Sequence, residues 1–287
     1  MKGIILAGGT GSRLFPLTFG VSKQLLPIYS KPLIYYPLAT LMLFGIRDIL
    51  IICAPRDEQA FKITLGDGSK WGVNLQYAIQ TEPKGLPDAY ILGETFLAGE
   101  QSILILGDNI LFGQQLSEVF SEALQINQGA HLFCYPVADP QRFGVVELDE
   151  MGRVKSLEEK PENPKSSLAS VGLYICDDNA SYIAKSLRPS QRGEVEIVEL
   201  HRKYLKEDKL SSTVLSRGTA WFDAGTQKSM LEASNFVSAV ENRQGLMVLS
   251  PDEISWRNGW ISTDELEKNI AFFSKSDYGL MLSRLIR

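Results

Sequence analysis

The chain has 287 residues, of which 44% are hydrophobic and 22% charged, and its formal net charge is -5. This composition predicts a globular protein with a full apolar core, and the length suits one large domain with an appendage. The acidic balance argues against a nucleic-acid partner or an anionic membrane surface. No apolar run approaches the roughly 20 residues of a membrane helix, and the first apolar run is too short for a secretory signal.

Two sparse residue types narrow the chemistry. Cys53, Cys134 and Cys176 lie in separate apolar runs without a CxxC pair, which predicts free thiols and a cytoplasmic location. The two histidines are expected to be structural or surface residues, because His131 opens an apolar run and His201 lies in a charged helical segment. A catalytic triad or a histidine-rich metal site is therefore not expected.

The first half of the chain alternates apolar runs with helical patterns. Strands are predicted at 3–7, 48–54, 73–80 and 102–108, and helices at 32–45, around 61–65, at 89–98 and at 116–127. This alternation predicts a mainly parallel sheet with helices on both faces. Such sheets bind ligands at the carboxyl ends of their strands.

The pattern changes after residue 130. Strands are predicted at 130–137, 143–149, 153–159, 169–177 and 210–216, with helices at 178–187 and 194–207 and from about 226 onward. The sequence therefore predicts an α/β fold, a Rossmann-like three-layer α/β/α arrangement with a mixed, mainly parallel sheet. We expect one domain at 1–225, with halves at about 1–110 and 111–225, and a helical appendage at 226–287.

A glycine-rich loop follows the first predicted strand. Three glycines in GGTGSR (8–13) allow the backbone N–H groups to close around an anion, and Arg13 and Lys23 add cations. A Walker A loop is absent, and Leu14 replaces the third glycine of a dinucleotide-binding motif, without an acidic residue about 20 positions later. The loop therefore predicts a phosphate site rather than a site for NAD.

The segment GGTGSRLFPLT, followed by KQLLPI, resembles the signature of the sugar-1-phosphate nucleotidylyltransferases, GGxGTRLxPLT followed by KPxLPI. The form SKQLLPIYSKPLIYYPL is most similar to the glucose-1-phosphate thymidylyltransferase subfamily, although Ser12 replaces the usual threonine. Further segments match in the family's order: LGDGSKWG (65–72), ILGDNI (105–110), RFGVVE (142–147), SLEEKP (156–161), VGLY (171–174), RGEVEI (192–197), WFDAGT (221–226) and MLEASNF (230–236). The resemblance covers essentially the whole chain.

The resemblance implies attack by a sugar phosphate oxygen on the α-phosphorus of a nucleoside triphosphate, with release of pyrophosphate. The attacking phosphate is already ionised, so catalysis should come from positioning and charge neutralisation. By resemblance, Arg13 holds the triphosphate, Lys23 neutralises charge on the leaving pyrophosphate and Lys160 clamps the sugar phosphate. Asp108 and Asp223, which each follow or end an apolar run, are implied as the ligands of Mg²⁺.

The resemblance also implies how the substrates are recognised. The implied sugar-binding residues are Asn109, Gly144, Glu159, Val171, Tyr174 and Trp221, with Glu194 and Glu196 in support. The implied nucleotide-binding residues are Leu6, Gly8, Gly9, Thr10, Gly11, Gln24, Gln80, Gly85 and Leu86. The base-binding segment QTEPKGLPDA (80–89) departs from the family's QPxPxGLAQA at Pro87 and Asp88, which leaves the preference for dTTP over UTP open.

The leading hypothesis is Mg²⁺-dependent transfer from dTTP to α-D-glucose 1-phosphate, giving dTDP-glucose for dTDP-sugar synthesis such as that of dTDP-rhamnose. Alternatives are a uridylyltransferase, another sugar-1-phosphate nucleotidylyltransferase, or a non-catalytic nucleotide-sugar sensor. A sensor is expected to lack one of the cations or aspartates named above. A glycosyltransferase would carry a DxD motif, whereas Asp177 and Asp178 form a DD pair at a predicted helix start, where capping explains them.

The family resemblance further implies a homotetramer with contacts through the C-terminal helices. It also implies a second, regulatory site for a thymidine nucleotide near Phe112, Gly113, Ile254 and Arg257. The apolar segment MLEASNFVSAV (230–240) is equally consistent with packing inside one chain.

Overall fold

The computed structural model describes residues 1–126, 128–190 and 193–286. Asn127 at the end of the predicted 116–127 helix, Arg192 of the RGEVEI segment and Arg287 lie outside these ranges. The strands are β1 (Lys2–Ala7), β2 (Pro27–Ile28), β3 (Lys31–Pro32), β4 (Asp48–Cys53), β5 (Asn74–Ile79), β6 (Ser102–Leu106), β7 (Asn109–Phe112), β8 (Ala130–Pro136), β9 (Gly144–Leu148), β10 (Val154–Glu159), β11 (Leu168–Cys176), β12 (Leu210–Val214) and β13 (Ala220–Asp223).

The helices are α1 (Tyr35–Leu43), α2 (Glu58–Leu65), α3 (Asp88–Leu92), α4 (Glu94–Leu97), α5 (Leu116–Ala123), α6 (Ala180–Ser186), α7 (Ile197–Lys206), α8 (Gln227–Gln244), α9 (Pro251–Arg257), α10 (Thr263–Phe272) and α11 (Asp277–Ser283). No helix in the described ranges has the length and apolar character needed to cross a membrane.

A nine-stranded sheet organises the fold. Its main order is β10-β9-β11-β6-β1-β4-β5, and β8 pairs with β11 and β12. The strands β5, β4, β1 and β6 are parallel neighbours, whereas β11 runs antiparallel to β6, β8 and β9. The predicted α/β class with a mixed sheet is confirmed. Within the nine-stranded sheet, the antiparallel pairings involve strands from Ala130 onward, where the sequence pattern changes.

The sheet separates two apolar cores. In β1, Ile5 and Ala7 belong to one core while Ile4 and Leu6 belong to the other, because successive side chains of a strand point to opposite faces. Apolar residues of α1, α2, α5 and α8–α11 pack in the first core. Those of α3, α4, α6 and α7 pack in the second. The carboxyl ends of the central parallel strands therefore open between two helical layers.

Several predicted helix boundaries were wrong, including the end of the helix predicted at 116–127, which stops at Ala123. The helix predicted at 32–45 begins at Tyr35, because Pro32 pairs in the short β2–β3 hairpin. The helix predicted at 89–98 divides at Gly93 into α3 and α4, where a side chain would lie 2.9 Å from the Ala89 carbonyl oxygen. The helix predicted at 194–207 begins at Ile197, after an extended residue 196.

Short pairings between distant segments could not be predicted from periodicity. The sheet pair β7–β13 joins residues 109–112 to 220–223, and four residues are too few to show a pattern. All three cysteines are free and buried in strands, as predicted. Residues of α8–α11 share the first core with the sheet, and the division of the chain at residue 225 stays a prediction.

Candidate active site

A cavity of about 280 Å³ lies at the carboxyl ends of β1 and β6. Its wall contains most of the residues singled out from the sequence. These are Leu6, Gly8, Arg13, Lys23, Gln24, Leu86, Asp108, Asn109, Gly144, Glu159, Lys160, Val171, Tyr174, Trp221 and Asp223. We call this space the main cavity. The fold therefore brings segments spread over more than 200 residues of sequence to the edge of the sheet where ligands of α/β proteins bind.

Two aspartates meet in the main cavity through the β7–β13 pair. Asp108 immediately precedes β7, and Asp223 ends β13 opposite Asn109. The N–H of Ala224 donates to the Asp108 carbonyl oxygen at 3.0 Å, which fixes the two segments side by side. Burial and the nearby Asp108 carboxylate raise the pKa of Asp223. Two carboxylates in such a place repel each other until a cation neutralises them.

Cations supply part of that neutralisation. The Lys23 ammonium donates to Asp108 Oδ2, and the charges of Lys23 and Arg13 oppose the rise in the pKa of Asp223. Arg13 lies beside Gly225, where an added side chain would approach both Arg13 Nη2 and Asp223 Oδ1 to 3.0 Å. We call Arg13, Lys23, Asp108 and Asp223 the charged end of the main cavity.

Local backbone geometry holds the two cations. The 3₁₀ turn Ser12–Leu14 begins after Gly11, whose φ is 62° and whose carbonyl oxygen accepts from Thr18 Oγ1 at 2.8 Å. A second 3₁₀ turn, Lys23–Leu25, carries Lys23. Within that turn the neighbouring Gln24 is buried and accepts from Ser22 Oγ at 2.6 Å.

The antiparallel strands shape the opposite part of the main cavity. Glu159 ends β10 directly opposite Gly144 in β9. Asn109 Oδ1 accepts from Trp221 Nε1 at 2.7 Å, which joins β7 to β13 through side chains as well. Gly172 has φ of 68°, and a side chain there would lie 2.5 Å from Asn109 Nδ2. Only glycine permits this approach.

Lys160 directly follows Glu159 and leaves the strand in a left-handed conformation, with φ of 43°. Its N–H donates to the Phe143 carbonyl oxygen at 2.9 Å, and its ammonium lies 3.7 Å from Glu159 Oε1. The side chain is 45% exposed, so the ammonium can reach a ligand phosphate without first being released from the protein interior.

The segment implied for base binding lies beside the glycine loop. Gln80 Nε2 donates to Asp88 Oδ2 at 2.8 Å, and Gln80 Oε1 faces Gly8, where a side chain would approach it to 2.3 Å. Gly85 bridges to Val195. Among the described lining residues of the main cavity, this segment contributes Leu86. Five predicted residues lie around the cavity without being part of its lining: Gly9, Thr10, Gly11, Gln80 and Gly85.

Several residues that line the main cavity were not predicted from the sequence to do so. Arg142 and Phe143 belong to the RFGVVE segment, and the charge of Arg142 opposes the rise in the pKa of Asp223. Ser170, Val198 and His201 also line the cavity. The other lining residues not singled out in the sequence are Leu106, Leu157, Gly172 and Ile197. Glu194 and Glu196, which the resemblance implied as supporting residues, also line the cavity. The helical periodicity of the buried positions in α7 was the signal for an inward-facing His201.

A second, separate cavity of about 240 Å³ contains all four residues named for a regulatory site. Phe112, Gly113, Ile254 and Arg257 line it together. The Arg257 Nε donates to Glu253 Oε1 at 2.7 Å, so this guanidinium is held at the cavity wall. The cavity lies between β7, α1, α5 and α9, away from the charged end.

The chain matches the nucleotidyl transferase family over residues 2–240. The chain belongs to the nucleotidyl transferase family. Glucose-1-phosphate thymidylyltransferase of Neisseria meningitidis is 52% identical over 287 residues, covering 100% of both chains. The enzyme of the same name from Mycobacterium tuberculosis is 48% identical and covers 100% of this chain and 99% of that one.

Solved structures of nucleotidyl transferases share the fold. A Bacillus anthracis structure with sucrose, provisionally assigned as a glucose-1-phosphate thymidylyltransferase, has a TM-score of 0.76 and 40% identity, covering 82% of this chain and 94% of that chain. A UDP-glucose pyrophosphorylase in complex with UDP-glucose has a TM-score of 0.73 and 25% identity, covering 83% and 98%. This nucleotidyl transferase therefore resembles thymidylyl enzymes in sequence more closely than that uridylyl enzyme.

Proposed function

We propose that this chain transfers a thymidylyl group from dTTP to α-D-glucose 1-phosphate, giving dTDP-glucose and pyrophosphate. The observation that carries the proposal is the charged end of the main cavity. A glycine loop, two cations and two aspartates converge there. About 50% identity to thymidylyl relatives over the full length supports dTTP and glucose 1-phosphate as the substrates. The product would supply reactions that modify dTDP-linked sugars, such as dTDP-rhamnose synthesis.

The main obstacle to this reaction is repulsion between two polyanions. Arg13 and the loop amides bind the triphosphate and orient its α-phosphorus, because a guanidinium and N–H groups match phosphate oxygens. Lys23 stabilises the charge that builds on the leaving pyrophosphate. Lys160 holds the phosphate of the sugar, so that its oxygen lies in line for attack. The nucleophile is already ionised near neutral pH, so no side chain has to remove a proton.

The donor set fits a hard divalent cation. Among the described residues no group of three or more His, Cys, Asp or Glu side chains could hold a metal. Asp108 and Asp223 provide two carboxylates, and Mg²⁺ typically takes one or two carboxylates and completes its shell with phosphate and water oxygens. The raised pKa of Asp223 is the expected property of a carboxylate that a cation would neutralise. Bound Mg²⁺ would offset negative charge on the phosphates.

The rest of the main cavity would recognise the two substrates. Glu159 accepts hydrogen bonds from sugar hydroxyls, and Asn109 and the backbone of Gly144 and Val171 make further hydrogen bonds to them. Tyr174 and Trp221 form the wall beside the sugar. The nucleoside would lie along Leu6, Gly8, Gly9, Thr10, Gly11, Gln24, Gln80, Gly85 and Leu86. Apart from Asn109, which lies near the boundary, this division corresponds to a nucleotide half at about 1–110 and a sugar half at about 111–225.

Release of pyrophosphate tests the proposal directly. Wild type and Asp108→Ala would be assayed with dTTP or UTP, each with glucose 1-phosphate and Mg²⁺. We expect release with dTTP that falls by roughly 10³-fold or more in the variant, because the metal loses a ligand and Lys23 its partner. Release with UTP alone supports the uridylyl alternative. Absence of release with every nucleotide tried contradicts the enzyme and favours the sensor.

A homotetramer is the proposed assembly, with contacts through the helices of the 226–287 appendage. Large apolar side chains are exposed there: Leu231 at 62%, Phe272 at 83% and Leu280 at 55%. Contact with a partner subunit would remove this apolar surface from water. A cytoplasmic location is proposed with it, in keeping with the free, buried cysteines. A monomeric mass by light scattering would contradict the assembly, and recovery in an oxidising compartment would contradict the location.

The second cavity is proposed as a regulatory site for a thymidine nucleotide. Phe112 can face a base, Arg257 can pair with a phosphate, and Gly113 and Ile254 complete the wall. Inhibition by a dTDP-sugar should weaken in Arg257→Ala while uninhibited activity stays at the wild-type level. Unchanged inhibition in this variant would contradict a regulatory role for the cavity.

A further inference from the structure

Unpaired polar atoms inside the protein mark places where a partner is needed. In the described part of the chain, buried side-chain N or O atoms without a hydrogen-bond partner occur in Asp57, Trp71, Ser102, His131, Ser170, His201 and Ser212. Ser170 and His201 are the members of this set that line the main cavity. Leaving such an atom unpaired lowers the stability of the folded protein, because the atom has lost its hydrogen bonds to water. A bound ligand explains this cost where the group lies in the wall of a binding cavity.

Ser170 and His201 adjoin the same tyrosine. The His201 ring, which is 1% exposed, lies 4.8 Å from the Tyr174 ring between centroids. Burial raises the pKa of Tyr174, and the nearby Ser170 side chain opposes this rise, although Ser170 Oγ makes no hydrogen bond of acceptable geometry. With Val198, which also lines the cavity, these residues form what we call the neutral wall.

The neutral wall has the chemistry of a hydroxyl-binding surface. Burial lowers the pKa of His201 to about 3, so near neutral pH its imidazole is uncharged, with one donor and one acceptor nitrogen. Serine and tyrosine hydroxyls also donate and accept. A sugar hydroxyl can satisfy both roles, whereas a phosphate dianion only accepts. Val198 offers an apolar contact for the C–H groups of a sugar ring.

We propose that His201 and Ser170 are specificity-determining residues that hydrogen-bond hydroxyl groups of the sugar substrate when it fills the main cavity. This inference rests on the proposed function and extends it to a part of the wall outside the charged end. The sugar supplies the partners that His201 Nε2 and Ser170 Oγ lack. A sugar without the recognised hydroxyl leaves these buried groups unpaired and is discriminated against.

His131 provides a matched control in the same chain. It is also buried, and its Nε2 also lacks a partner, while its Nδ1 contacts Ser211 Oγ at 2.9 Å. It lies in β8 and is not among the described residues that line the main cavity. Replacing His131 therefore tests the general effect of losing a buried imidazole, without any effect on sugar recognition.

The test combines protein variants with substrate variants. Values of kcat/KM would be measured for glucose 1-phosphate and its four monodeoxy analogues, using wild type, His201→Phe, His201→Gln, Ser170→Ala and His131→Phe. Phenylalanine keeps a ring against Tyr174 but cannot hydrogen-bond. We expect His201→Phe to lower kcat/KM for glucose 1-phosphate by about 10- to 100-fold. For the analogue that lacks the recognised hydroxyl, the kcat/KM of His201→Phe should lie within about 2-fold of the wild-type value.

The comparison across substrates separates recognition from stability. Partial recovery in His201→Gln and a substrate-dependent loss in Ser170→Ala support the proposal, and these variants carry the test if His201→Phe does not fold. An equal loss on all five sugars, as expected for His131→Phe, overturns it. If the wild type releases no pyrophosphate, the proposed function fails together with this inference. An active wild type with uniform losses overturns the inference alone.

Discussion

The charged end and the neutral wall of the main cavity differ in how they are built. The charged end collects two cations and two aspartates, and Lys23 and Asp108 already pair within the chain. The neutral wall consists of uncharged side chains, and two of its polar atoms have no partner. In the proposed reaction, the charged groups act on the phosphates that every substrate pair shares, whereas the neutral groups act on the part of the sugar that varies. Under this proposal, the charged end determines the rate of transfer, and the neutral wall determines which sugar is selected.

Loss of Lys23 should give the largest effect and test the claim that the charged end acts equally on all substrates. We expect Lys23→Met to lower kcat by about 10²- to 10³-fold, because charge on the departing pyrophosphate loses its stabilising cation. The loss should be the same for glucose 1-phosphate and its monodeoxy analogues. Steady-state kinetics on this panel provide the measurement.

Lys155 offers a control for this experiment, since it pairs with Glu147 at 2.7 Å and is 63% exposed. Lys155→Met should retain wild-type kinetics. A loss in Lys23→Met below 10-fold, or one that depends on the sugar, would break the proposed separation between the two regions.

The charged end could be predicted from the sequence because its residues occur in short motifs. The glycine loop indicated Arg13 and Lys23, and the positions of Asp108 and Asp223 after apolar runs indicated strand ends. The residues alone could not predict that Asp108 and Asp223 lie close together, because this depends on the four-residue pairing of β7 with β13. The resemblance to a family supplied this link, and the structure gives its physical basis.

The neutral wall was harder to predict. His201 was expected to be structural or exposed. It is buried, and the sequence did not predict that it lines the main cavity. Ser170 lies where the β8–β11 pairing shifts its register, and such an irregularity has no sequence pattern of its own. The position of His201 depends on how α7 packs over the sheet. Tertiary packing decides which face of a charged helix becomes a binding surface.

The Asp88 carboxylate should have a smaller, selective effect at the nucleotide. A carboxylate accepts hydrogen bonds, so it holds the Gln80 NH₂ group and leaves Gln80 Oε1, which accepts none from the described residues, for a ligand. This acceptor suits the N3–H of thymine and of uracil, and cytosine lacks that donor. We expect Asp88→Ala to lower the preference for dTTP over dCTP by about 10-fold.

The measurement is the ratio of kcat/KM for dTTP to that for dCTP, which cancels a general loss of folded enzyme. Glu82→Ala, in the same loop and exposed, should leave this ratio unchanged. The preference for dTTP over UTP should also stay constant in Asp88→Ala, because both bases carry the N3–H. A shift in the dTTP to UTP ratio instead would mean that Asp88 acts on the base or ribose in another way.

The smallest effect is expected for the stability of the protein at acid pH. This measurement compares His201, in the neutral wall, with His131, which lies outside it. Burial lowers the pKa of His131 to about 4 and of His201 to about 3, below the unfolded value of 6.5. Above pH 6.5 both histidines are neutral in both states. Below it the unfolded chain binds protons that the folded chain excludes, so the free energy of unfolding falls with pH down to the folded pKa.

Each histidine should contribute a slope of about 1.4 kcal/mol per pH unit in this window. From pH 7 to pH 5, the stability of His131→Gln or His201→Gln relative to wild type should improve by about 2 kcal/mol, as measured by urea unfolding. The two variants should agree in this respect although only His201→Gln changes sugar selection. A pH-independent difference for His201→Gln would mean that folding leaves the pKa of His201 at its unfolded value, so that burial would not hold the imidazole in its neutral form below pH 6.5.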